Sequence, residues 1–181
     1  IHCSAGGTIA LTDGAVESNH ADGDGGGLYL DDCTLTDSAG LFGSGPLSGG
    51  IYENRAEGSG GGIYAASGAA LNLVGSAPAP VVIHDNRAQT GAGGGIAVTG
   101  ATTSVDAQNT RIYDNFATSA GGVDVRNGAS FTMERVGTEC VEALECSTIS
   151  RNLLFARLEA GGHGGAISVT SGGSAAIFQT Y

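Results

Sequence analysis

Gly162-His163-Gly164 sets a histidine between glycines, and Asp31-Asp32 pairs two carboxylates. These residue types suit acid–base work on a sugar linkage, which needs two carboxyl groups flanking the bond to be cut. Asp22-Gly23-Asp24, followed by Asp31 and Asp32, offers oxygens of the kind a hard cation such as calcium takes. The spacing lacks a twelve-residue loop with a terminal Glu, so a solvated acidic loop is the preferred reading. His2, His20, His84 and His163 fall at unrelated phases and suggest no metal centre. Among the four cysteines, Cys3 and Cys33 are 30 residues apart and Cys140 and Cys146 would close a short loop. Neither pair has C-x-x-C spacing, which favours two structural disulfides, Cys3–Cys33 and Cys140–Cys146, and an oxidising compartment.

What must position these residues is a two-part signature that returns five times. Its first part is an aliphatic residue three places before an Asn: Val16 and Asn19, Ile51 and Asn54, Ile83 and Asn86, Ile112 and Asn115, Ile149 and Asn152. Its second is a glycine run leading into an aliphatic residue, at Leu28, Ile63, Ile96, Val123 and Ile167. Self-similarity at a period near thirty residues means a solenoid. Short alternating runs such as Leu71-Asn72-Leu73 and Ile96-Ala97-Val98 read as half-buried strands, about three per repeat, and helical periodicity is absent. The expected fold is all-β: a parallel β-helix of about five coils, each strand pairing with its counterpart one coil later.

Within it, Asn19, Asn54, Asn86, Asn115 and Asn152 are expected to stack as an amide ladder, each in the left-handed conformation at a tight corner. The two aliphatic series are expected to form interior columns, and the glycines to supply positive φ and close backbone approach. Successive ladder residues are 35, 32, 29 and 37 positions apart, so the surplus residues must bulge outward. Three insertions stand out, near residues 36–50, 134–147 and 153–162. Residues 1–181 read as a single β-helix segment, expected to belong to a longer chain or an assembly.

The signature resembles the repeats of bacterial cell-surface β-helix proteins, in particular the polymorphic outer-membrane protein family and autotransporter passengers, marked by G-G-A-[ILV] and F-x-x-N motifs. Gly164-Gly165-Ala166-Ile167 matches the first literally; in the second, Val or Ile replaces the Phe each time. The resemblance spans Val16 to Val169. It implies a right-handed coil and an extracellular or cell-surface address. Many right-handed β-helices also resemble pectin-degrading enzymes. Polygalacturonases carry N-T-D, an Asp pair, G-H-G and R-I-K on neighbouring coils, and this chain has neither N-T-D nor R-I-K. Its Asp31-Asp32 and His163 are about four coils apart, roughly 19 Å at the strand spacing, too far to share one linkage. A pectate lyase would need a basic residue to abstract a proton; Lys is absent, and the seven Arg residues are scattered along the chain.

A net charge of −11 repels phosphate backbones, which argues against nucleic acid, and no apolar run is long enough to span a membrane as a helix. No cofactor is implied. The reading that remains is a non-enzymatic extracellular structural or adhesive β-helix, a stalk or adhesin passenger facing a protein or glycan ligand. Leu41, Phe42, Leu154 and Phe155 are its candidate contact residues on projecting loops. Two alternatives stay open: a filament subunit that self-associates through open coil ends, and a carbohydrate-active enzyme whose site lies outside this segment.

Overall fold

The computed structural model describes residues 1–11, 14–37, 50–75, 79–135, 147–154 and 165–179. The chain is a right-handed parallel β-helix. Four sheets run its length, two of six strands and two of five, and every pairing within them is parallel. One coil visits them in order, as in Leu28–Asp31 (sheet A), Thr34–Asp37 (sheet B), Gly50–Tyr52 (sheet C) and Arg55–Ala56 (sheet D), before Ile63–Ala66 re-enters sheet A. The chain thus completes five such circuits and adds a strand each to sheets A and B. Each coil has four strands rather than three. The additional one is the two-residue strand that follows the ladder Asn, too short to show alternation in sequence.

Both aliphatic columns form as expected. In sheet C, Val16, Ile51, Ile83, Ile112 and Ile149 lie in register. In sheet A the series is Leu28, Ile63, Ile96, Val123 and Ile167. Ile51, Ile83 and Ile112 are fully buried, as are Leu28, Ile63, Ile96 and Val123. Burying each such side chain stabilises the stack by about 1.5–3 kcal/mol relative to exposure. Leu35, Leu71, Val105 and Phe131 close the third wall from sheet B.

At the corner between sheets C and D the ladder is continuous. Each Asn Nδ2 donates to Oδ1 of the next: Asn19 to Asn54 at 2.9 Å, then Asn54 to Asn86, Asn86 to Asn115 and Asn115 to Asn152 at 3.0 Å. The same oxygens accept the backbone N–H of the Asn below. From Asn54 onward Nδ2 also reaches a carbonyl of the preceding coil, as from Asn54 to Val16 and from Asn86 to Ile51, both at 2.7 Å. Asn54, Asn86 and Asn115 are therefore buried without an idle amide.

The left-handed residue at this corner is not the Asn. It is the residue before it: Ser18, Glu53, Asp85, Asp114 and Arg151, with φ of 52–55°. The turn aims the Asn side chain inward to stack, and the preceding residue, whose side chain faces out, takes the unusual backbone conformation.

The two halves of the signature meet across coils. A Cβ on Gly27, Gly62, Gly95 or Gly122 would come within 3.0–3.1 Å of the amide of Asn54, Asn86, Asn115 or Asn152 respectively. Only a residue without a side chain lets the corner into sheet A lie flat against the ladder. Cys3 and Cys33 are joined, with Cα atoms 6.1 Å apart, and tie the first coil to the second. Cys140 and Cys146 lie outside the described residues. The insertion ends are trimmed by strands, since Thr36 belongs to Thr34–Asp37, Gly50 to Gly50–Tyr52 and Glu134 to Ser130–Arg135.

Candidate functional site

The candidate calcium ligands do not converge. Asp22 and Asp24 lie in the corner that enters sheet A; Asp31 and Asp32 stand at the far end of the four-residue strand Leu28–Asp31, about 13 Å along the chain. Asp22 is fully exposed beside His20, 3.7 Å away. Asp24 is already engaged, its Oδ1 accepting the Ser59 N–H at 2.6 Å across the coils. Asp32 is the left-handed residue of the corner into sheet B. Among the described residues no three His, Cys, Asp or Glu side chains gather closely enough to hold a metal ion.

Of the candidate contact residues, Leu41, Phe42 and Phe155 lie outside the described residues, as does Gly162-His163-Gly164. Leu154 is described, and it does not project from a loop. It ends the sheet D strand Leu153–Leu154, in register with the buried Ala117, because this position continues a wall of small inward residues that includes Ala56 and Ala88. Its neighbour Leu153 points outward and is 53% exposed. Arg55 and Arg87 stack in register on sheet D. Arg55 pairs with Glu57 at 2.6 Å, an exposed pair of little energetic weight.

The outer walls carry two aromatic columns. On sheet C, Tyr52, His84 and Tyr113 occupy one register position on successive strands. Their rings stack with centroids 5.0 Å apart and interplanar angles of 13° and 3°. The guanidinium groups of Arg111 and Arg151 lie 5.2 and 5.4 Å from the Tyr113 ring centre, within cation–π range. A row of charge runs alongside, where Asp85 meets His84 Nδ1 at 2.7 Å and Asp114 holds Arg151 through two bonds of 2.8 and 2.5 Å. On sheet A, Tyr29 and Tyr64 stack at 5.3 Å and 17°, with His2 tilted against the other side of Tyr29 at 4.9 Å. A polar track crosses the same wall: Asp24 binds Ser59, Arg126 Nη2 donates to the Ser59 hydroxyl at 3.3 Å, and Arg126 Nε pairs with the buried Asp124 at 2.7 Å.

Ring faces inside each column cover one another, so what the columns offer solvent is edges, hydroxyls and an imidazole, repeated once per coil and flanked by ions. Such a strip can make directional contacts with a partner; as described it holds no nucleophile–base pair. Burial pushes the Tyr64 and Tyr113 phenols above their ordinary pKa of 10.0, and a hydrogen bond to Glu17 does so for Tyr52. The signal for the sheet C column was present in the sequence, since Tyr52, His84 and Tyr113 each stand two places before a ladder Asn. That phase belongs to an outward side chain, which the search for a core passes over.

No family model matches the chain, and neither a curated protein nor a solved structure is significantly similar to it.

Proposed function

We propose that this chain is a non-enzymatic extracellular β-helix, a rigid cell-surface stalk or adhesin whose outer walls contact a protein or glycan ligand. The observation that carries this reading is the Cys3–Cys33 disulfide set into the coil stack, since such bonds persist in oxidising compartments and are rare in the cytosol. Four further features support it. The hydrogen-bonded ladder makes the coils stiff, as a spacer must be. A formal charge of −11 keeps the sides solvated. The repeats resemble those of surface β-helix passengers. Tyrosine and arginine, which dominate contact energetics at protein interfaces, are concentrated on the sheet C wall as Tyr52, Tyr113, Arg111 and Arg151.

The test is to shave intact native cells with protease and alkylate free thiols in the same step. Release of peptides from this chain with Cys3 and Cys33 still joined is the expected result. Recovery only after lysis, with both thiols alkylated, overturns the reading.

A second reading, end-to-end assembly, is favoured by Leu153, Val169, Ile177 and Phe178, exposed on the last described strands of sheets D, A and B. Concentration-dependent growth of fibres in electron micrographs supports it, and a constant monomer mass at all concentrations rejects it.

A further inference from the structure

Four tyrosines are described in the chain, and one pair of them sits on adjacent strands. Tyr29 and Tyr64 occupy the same register position of sheet A, both half-buried on its outer wall, with ring centroids 5.3 Å apart. On sheet C, by contrast, His84 intervenes between Tyr52 and Tyr113. We propose that Tyr29 and Tyr64 form an oxidative cross-linking site, where a haem peroxidase using a peroxide couples the two rings into a dityrosine.

The step balances as follows. Each phenol loses one electron and its hydroxyl proton, giving a phenoxyl radical with spin on the carbons ortho to oxygen. The two ortho Cε carbons then bond, and the hydrogens they carried migrate to the oxygens, restoring both phenols. The net change is the loss of two hydrogen atoms, which convert one hydrogen peroxide into two waters. Coupling between separate chains needs an encounter, whereas these rings are already held together by the ladder of sheet A, so the intramolecular product forms first. The rings must swing from face-to-face to edge-to-edge for the bond to form, a motion their half-exposed position on the outer wall permits.

The placement has a structural logic. In a solenoid each coil is held only by its neighbours. The disulfide already ties the first coil to the second, and a Tyr29–Tyr64 bond would tie the second to the third. Three successive coils would then be covalently joined. This inference rests on the extracellular reading only for the source of the oxidant; the coupling itself rests on the ring geometry.

The experiment treats the purified full chain, dilute, with horseradish peroxidase and hydrogen peroxide, and isolates the monomer. The expected monomer fluoresces as dityrosine, has lost the mass of two hydrogens, yields a linked peptide pair containing Tyr29 and Tyr64, and unfolds at higher temperature than untreated protein. Tyr64→Phe keeps a ring in the stack but loses the signal; the double variant Tyr52→Phe/Tyr113→Phe keeps it. The proposal is overturned if the monomer stays unlinked while free N-acetyltyrosine couples in the same tube, or if the links map to Tyr52, Tyr113 or Tyr181.

Discussion

Asn86 is fully buried, and its side-chain amide bonds to the coil on either side of its own. Its Oδ1 accepts two hydrogens from Asn54 and its Nδ2 donates to Ile51 and Asn115. Replacing it by Leu leaves the Asn54 N–H, the Asn54 amide and the Ile51 carbonyl short of partners in a dry interior. At about 1–3 kcal/mol for each buried group left unpaired, the loss should exceed 3 kcal/mol. Asn19 is the exposed rung, so Asn19→Ala should cost less than about 1 kcal/mol. Urea denaturation of both variants checks the pair, and equal losses would mean that the ladder does not act through burial. The ladder could be read in the sequence because a buried, repeated Asn has few other uses. The left-handed residue beside it could not, since Ser18, Glu53, Asp85, Asp114 and Arg151 share a backbone angle and no side-chain chemistry.

At the scale of one coil, the glycine corner and the aromatic columns set opposite tolerances. Gly62 has an ordinary φ, yet a Cβ there would stand 2.7 Å from the Gly95 carbonyl oxygen and 3.1 Å from the Asn86 amide. Neither neighbour can retreat without breaking the stack, so Gly62→Ala should destabilise by roughly 1–3 kcal/mol, as overpacking does. Gly23 has nothing within 4 Å of such a carbon, and Gly23→Ala should stay within about 0.5 kcal/mol of the parent protein. Thermal melts of the two distinguish a contact requirement from a general need for glycine. The tyrosines make an alkaline prediction. The phenols of Tyr52, Tyr64 and Tyr113 are held above 10.0 in the fold, so between that value and their folded pKa the native state binds more protons than the unfolded one. Their contribution to stability is whole below pH 10 and falls as pH rises through the folded values. Denaturation curves at stepped pH, with phenolate absorbance followed in native and unfolded protein, should show stability dropping and the native phenols titrating later. The strands were legible from two-residue alternation over four or five positions, as in Ala70–Val74. Sheet D was not, because strands such as Arg55–Ala56 are shorter than one period of any pattern. The sheet C aromatic column left a trace in the fixed offset of Tyr52, His84 and Tyr113 from the ladder Asn, but at an outward phase that carries no core pattern.

Over the whole molecule, the parallel stack behaves as a row of units, each stabilised by the coil on either side, so a local insult should remain local. The Cys3–Cys33 bond closes 30 residues, a loop for which chain-entropy estimates give about 3–4 kcal/mol. In a globular core, loss of that amount would lower the stability of every element together. Here the bond spans only the first two coils, and the ladders from Ile63–Ala66 onward pair without reference to it. The double variant Cys3→Ser/Cys33→Ser should therefore exchange amide hydrogens faster across His2–Ser4 and Thr8–Leu11. Protection at Ile96–Thr99 and Ser104–Gln108, held by coils on both sides, should be unchanged. Hydrogen exchange read by mass spectrometry gives both regions in one measurement. A uniform loss of protection along the chain would mean that the coils unfold as one cooperative body, and that stiffness arises from the core as a whole rather than from rung-by-rung contact.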